Sequence, residues 1–125
     1  MNQLLVVEDS PTQAELLRET LEEAGFAAIV AGSAEEALGK LDENRVDLVI
    51  SDIVMPGISG RELAEHVRRT RPDIRILYMS GYAYYPGSNT AFPHPGDAYI
   101  QKPFAPAALA AKVREILDGG PSAAN

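Results

Sequence analysis

The stretch Val46-Asp47-Leu48-Val49-Ile50-Ser51-Asp52, followed by Met55-Pro56-Gly57-Ile58-Ser59-Gly60, decides how this chain folds. The run Val46–Ser51, with Leu48-Val49-Ile50 at its centre, has the length and β-branched content of a strand buried on both faces. It ends at a carboxylate, and the Pro and Gly beyond it mark a loop. A helix is expected from Ser59 or Gly60 through Arg71, because Pro72 disfavours helical backbone in the residue before it.

The same alternation extends outward from this unit. Upstream, Leu4–Val7 is a short apolar strand that breaks into Glu8-Asp9-Ser10-Pro11. From Pro11, Ala14, Leu17, Leu21 and Ala24 recur at helical spacing until Gly25, a suitable residue to end a helix. Ala27–Ala31 reads as a second strand. Ser33 with Glu36 three positions on forms a capping box for a helix whose inner face is Ala37, Leu38 and Leu41. Downstream, Ile74–Met79 is a fourth strand and Asp97–Ile100 a fifth. Pro106–Leu117 is a closing helix with proline in its first turn. Strands alternating with helices imply an α/β fold, a parallel sheet covered on both faces. Right-handed crossovers make it doubly wound, with its ligand site beyond the carboxyl ends of the strands.

At 125 residues the chain is expected to be one domain, 1–125, with a core over about 3–118 and a frayed tail at 119–125. Its 46% hydrophobic and 23% charged residues fit a globular domain rather than a disordered one. Eighteen carboxylates against eleven Lys and Arg give a net charge of −7, the wrong sign for a nucleic-acid binder. The chain has no cysteine, so a disulfide scaffold, a thiolate nucleophile and a Cys-ligated metal are excluded. No apolar run approaches the ~20 residues that span a bilayer. The start, Met1-Asn2-Gln3-Leu4, lacks a basic segment, so no secretory signal and a cytoplasmic location are expected.

The expected strand ends carry a consistent chemistry: Glu8 and Asp9 after the first, Asp52 after the third, Ser80 after the fourth, Lys102 after the fifth. Any one of these acids alone would pass as a loop residue or helix cap. Three in one crevice repel, at about 4 kcal/mol for a pair ~4 Å apart with an effective dielectric near 20. A hard cation removes that penalty, and Mg²⁺ takes one or two carboxylates, waters and a phosphate.

These residues also carry a resemblance. Val6-Val7-Glu8-Asp9, Ser51-Asp52-Ile53-Val54-Met55-Pro56-Gly57, Met79-Ser80-Gly81 and Gln101-Lys102-Pro103-Phe104 are similar to a response-regulator receiver domain of two-component signalling. The similarity covers about residues 3–118. It implies a flavodoxin-like sheet of five parallel strands in order 2-1-3-4-5. It implies that Asp52 accepts a phosphoryl group from a histidine kinase or histidine phosphotransfer protein. Mg²⁺ would then be held by Glu8, Asp9, Asp52 and the Val54 carbonyl, with Lys102 and Ser80 contacting the phosphoryl group. Tyr99 corresponds to an aromatic switch, and reads equally as a strand residue filling the sheet edge. By the same correspondence Val54 and Tyr82 would flank the approach of water to Asp52, and neither supplies an acid or amide to position a water, so slow loss of the phosphoryl group is expected; the alternative is that Tyr82 points away and packs its loop. The Lys102-Pro103 bond corresponds to one that is cis in the family. No turnover enzyme, no nucleic-acid or membrane partner, and a monomer or weak dimer are expected.

One segment departs from the family pattern. Residues 82–96 contain Pro86, Pro93, Pro95, Gly87 and Gly96, which cannot sustain a regular helix, so a degenerate fourth helix is expected there. Four of the eight aromatics, Tyr82, Tyr84, Tyr85 and Phe92, fall in it; they serve either to pin a loop or to line a downstream partner surface over 82–104. Receivers of hybrid sensor histidine kinases often show a similar Ser-Gly-Tyr opening. His66 and His94 read as surface residues. Arg68, Arg69, Arg71 and Arg75 read as complements of a helix C-terminus. Two rivals come from other classes. A Mg²⁺-dependent phosphohydrolase of the Asp-x-Asp type would need an acid where Val54 stands, and a lid for which the chain has no length. A non-phosphorylated interaction module would have no use for the acids together with Lys102. With no effector segment in the sequence, output is expected through protein contacts, a phosphorelay or a parent polypeptide.

Overall fold

A computed structural model describes residues 2–52, 60–71, 73–80, 98–102 and 104–118, with backbone alone for 60, 61 and 80. Five parallel strands form one sheet: β1 (Gln3–Val7), β2 (Ala27–Ala31), β3 (Leu48–Asp52), β4 (Arg75–Ser80) and β5 (Ala98–Gln101), in order β2-β1-β3-β4-β5. The helices are α1 (Pro11–Glu23), α2 (Ala34–Glu43), α3 (Gly60–Thr70) and α4 (Pro106–Leu117). The order reverses between β1 and β3, which places the switch point beside the carboxyl ends of those two strands.

Period-two alternation divides the core into two layers. Leu5, Val7, Val49, Ile76 and Tyr78 face α2 and α3, meeting Ala37, Leu41, Leu63 and Val67. Leu4, Val6, Leu48, Ile50, Leu77 and Met79 face α1 and α4, meeting Leu17, Leu21, Leu109 and Val113. Because both faces are covered, consecutive residues in the middle of the strands are apolar rather than alternate ones, as in Leu4–Val7 and Leu48–Ile50.

The helix ends follow local chemistry. Ser33 caps α2, its Oγ accepting from the Glu36 amide at 3.1 Å, while Glu36 Oε1 accepts from the Gly32 amide at 2.9 Å. The return bond of the capping box thus reaches one residue further back than the usual pattern. Ser10 caps α1 and Pro11 occupies its first turn. At the other end of α1, Gly25 follows the C-cap Ala24 with φ +100°, a conformation that disfavours side chains.

Three strands sit one or two residues later than the apolar pattern suggests. β3 runs through Asp52, β4 through Ser80 and β5 through Gln101, because these polar residues still pair in the ladder, Asp52 with Met79 and Ser80 with Gln101. Val46 lies outside β3 yet is buried in the α2/α3 layer. The expected degenerate helix over 82–96, the Lys102-Pro103 bond and the tail 119–125 lie outside the described residues.

Two glycines separate backbone strain from space. A Cβ at Gly25 or at Gly39, an exposed position inside α2, would meet no atom within 4 Å. Gly25→Ala is therefore expected to destabilise the fold by about 1 kcal/mol through its positive φ alone. Gly39→Ala is expected to stabilise it by about 1 kcal/mol through helix propensity. Urea unfolding of the two variants checks both signs.

Candidate functional site

The site forms where the strands end. The ladder continues one residue past β1, with the Glu8 amide donating to the Ala31 carbonyl at 3.0 Å, and this turns the Glu8 side chain under the start of α1. Its Oε2 there accepts from the Ser10 amide at 3.2 Å. Glu8 is 4% exposed, and it and Ser51 are the buried polar residues among those described. Asp9 is exposed at the rim. Asp52, the last residue of β3, continues the side of the strand that carries Leu48 and Ile50. Carboxylate oxygens of Glu8, Asp9 and Asp52 lie within 4.8 Å of one another.

Lys102 follows β5 directly and reaches across β4 to this cluster. Its Nζ donates to Asp52 Oδ2 at 2.6 Å and to Glu8 Oε1 at 3.3 Å. Burial alone would lower the Lys102 pKa; the hydrogen bond and charge of Asp52, then those of Glu8, outweigh it and hold the amine above the ordinary lysine value. Burial pushes Glu8 above the ordinary carboxylate value, with the Ser10 amide and Lys102 opposing in part and the Asp52 charge adding to the rise. Three acids with one ammonium leave excess negative charge in a half-enclosed site. That donor set, all hard oxygens, fits a divalent ion such as Mg²⁺.

Glu8, Asp9, Asp52 and Lys102 are thus brought together as expected. Ser80 ends β4 in register with Gln101. Tyr99 is partly buried on β5 and packs against the α2/α3 layer. Val54 and Tyr82 lie outside the described residues. Elsewhere, Arg71 pairs with Asp42 at 3.1 Å, and Arg75 donates to the Ile116 carbonyl at 2.7 Å. Arg75 therefore ties β4 to a carbonyl in the last turn of α4. Leu16 was not singled out by pattern, yet it is 52% exposed, the exposed large hydrophobic among the described residues. It borders a hollow of about 420 Å³ lined also by Leu17, Lys102, Phe104 and Leu109. The signal for it was the Leu16-Leu17 doublet, in which one leucine must fall off the buried stripe of α1.

Fold and site together define a doubly wound α/β domain with an acidic, lysine-bridged site at its switch point. The chain belongs to the response regulator receiver domain family, which it matches over residues 4–114. The uncharacterized transcriptional regulatory protein YrkP of Bacillus subtilis is 37% identical over 110 residues, covering 88% of this chain and 47% of that protein. The sensor kinase CckA of Brucella abortus is 38% identical over 105 residues, covering 78% of this chain and 11% of that protein. The chain spans about half the length of the regulators it matches. Among solved structures, the response regulator TrrA of Thermotoga maritima in complex with Mg²⁺–BeF aligns with TM-score 0.82 and 39% identity, over 93% of this chain and 99% of that one. TrrA has also been solved with the histidine kinase ThkA, aligning with TM-score 0.81 over 94% of this chain and 99% of that one. This chain is a receiver domain of two-component signalling.

The raised pKa of Glu8 has a consequence for metal binding. On acidification Glu8 takes its proton at a higher pH than an ordinary glutamate, and a protonated carboxyl is a poor ligand. Mg²⁺ affinity is expected to weaken as the pH falls, beginning above the ordinary carboxylate value of 4.5. Glu8→Gln should bind more weakly at neutral pH and lose that early step. Calorimetric titration of both proteins at a series of falling pH values checks it.

Proposed function

We propose that Asp52 accepts a phosphoryl group from a phosphohistidine of a histidine kinase or phosphotransfer protein, and that the modified domain signals through protein contacts. The observation that supports this best is the Lys102 ammonium, 2.6 Å from Asp52 Oδ2 and 3.3 Å from Glu8 Oε1 beside the acid cluster. A carboxylate oxygen of Asp52 attacks phosphorus, forming an acyl phosphate as the P–N bond breaks. The electron pair stays on the imidazole nitrogen, which takes a proton from solvent. Lys102, protonated throughout, moves its hydrogen bond from Asp52 to an equatorial phosphoryl oxygen. Glu8, Asp9 and Asp52, with the Val54 carbonyl that the family resemblance adds, would hold Mg²⁺, and the ion would supply neutralisation of charge on the transferring group. The TrrA complex with Mg²⁺–BeF is the support for that ion.

The domain is consumed as acceptor rather than turned over, so it is not an enzyme in the usual sense. The product carries roughly −1.5 to −2 of added charge, which the Ser80 hydroxyl and Lys102 contact by shifting their loops. Tyr99 follows that shift, and the face over 82–104 meets a downstream partner. The donor protein has to sit beside Asp52, and the hollow flanked by Leu16 and ending at Lys102 supports docking there; the ThkA complex of TrrA is the precedent. Because a histidine kinase draws its phosphoryl group from ATP, the exchange belongs in the cytoplasm. The domain, 1–125, acts as a monomer or weak dimer.

Incubation with acetyl phosphate and Mg²⁺, followed by intact mass measurement, is expected to add one phosphoryl group to the native protein and none to Asp52→Asn. Undiminished labelling of the variant would remove Asp52 from its role. The label is expected to persist, since neither Val54 nor Tyr82 positions a hydrolytic water. Val54→Asn combined with Tyr82→Glu should then lose it faster than the native protein when phosphoryl decay is followed over time.

A further inference from the structure

Ser51 is the second buried polar residue of the described chain, 1% exposed, and neither metal binding nor phosphoryl contact uses it. At its level the sheet runs Ala31, Val7, Ser51, Tyr78, Tyr99 in register from edge to edge. Ala31, Val7 and Tyr78 are in the α2/α3 core layer and Tyr99 packs against it. A hydroxyl in that apolar row is unfavourable unless bonded, and alanine would fill the space without the burden. The Ser51 Oγ does find a partner: it donates to the main-chain carbonyl of Asp52 at 3.0 Å.

We infer that Ser51 is a positioning residue for the acceptor, its buried hydroxyl holding the Asp52 carbonyl and hence the direction of the Asp52 carboxylate. This rests on the role proposed above for Asp52. Asp52 is the last residue of β3, paired in register with Met79 of β4. A hydrogen bond from the opposite face of the strand fixes the peptide unit on its C-terminal side. The Asp52 Cα–Cβ direction is then set by the sheet layer remote from the site, while Lys102 meets the carboxylate from the site itself. Small errors in the placement of a nucleophile are amplified in rate, because attack needs a near-linear approach to phosphorus. Loss of the hydroxyl therefore acts on rate rather than on folding.

The test compares native protein, Ser51→Ala and Ser51→Thr with acetyl phosphate at saturating concentration and Mg²⁺ present. Ser51→Ala is expected to label about five-fold more slowly, the loss of one ordinary hydrogen bond, with unchanged half-saturating donor concentration and an unchanged thermal midpoint. Ser51→Thr, which keeps the hydroxyl, is expected to recover most of the rate. Labelling of Ser51→Ala at the native rate would overturn the inference. So would a slow rate that tracks a lowered thermal midpoint and is not rescued by threonine. A native protein that takes no label at all would instead overturn the acceptor role of Asp52, and this positioning role with it.

Discussion

One ammonium group shared between two carboxylates is the constraint on which the rest of this molecule depends. Lys102 Nζ touches Asp52 at 2.6 Å and Glu8 at 3.3 Å, and so ties together the ends of β1, β3 and β5. These strands come from the start, middle and end of the chain. Because all five strands are parallel, their carboxyl ends share one rim, and the order β2-β1-β3-β4-β5 sets β1 beside β3 there. The two apolar layers beneath make that rim stiff, since each strand is packed on both faces. The sheet is thus a platform, and the charges stand where its pairing stops.

The platform carries a cost in electrostatics that function explains. Glu8 is 4% exposed beside two further acids, a placement that raises its pKa and opposes folding at neutral pH. A well-packed apolar group would be more stable there. Lys102 offsets part of the burden, and a divalent ion would offset the remainder. Under the proposed function, a phosphoryl group would arrive at a site already built to hold compensated negative charge. Lys102 bridges two of the three acids, Glu8 and Asp52.

Much of this was legible in the sequence, for identifiable reasons. The Val46–Asp52 stretch showed both a doubly buried strand and an acid at its end, because a parallel sheet leaves no polar face to confuse the pattern. Strand limits were placed early by one or two residues. Apolar content marks burial, whereas the ladder runs on through Asp52, Ser80 and Gln101 by backbone pairing that side chains do not reveal. The acids and Lys102 could be grouped from their positions at strand ends, but their distances could not. Arg75 was read with its neighbours as a partner of a helix end; its bond to the Ile116 carbonyl joins residues 41 apart, beyond any local pattern. Ser51 passed as one more strand residue, because only the in-register row across the sheet shows that its hydroxyl is enclosed by apolar neighbours.

Lys102 and a divalent cation would both neutralise one acidic cluster, so the positive charge of each weakens the hold of the other. The most direct test is the Mg²⁺ dissociation constant of Lys102→Met beside that of the native protein, measured by calorimetry at neutral pH. Removing a positive charge from among Glu8, Asp9 and Asp52 is predicted to tighten Mg²⁺ binding by about ten-fold, equivalent to roughly 1.4 kcal/mol. Affinity that is unchanged or weaker in the variant would contradict it.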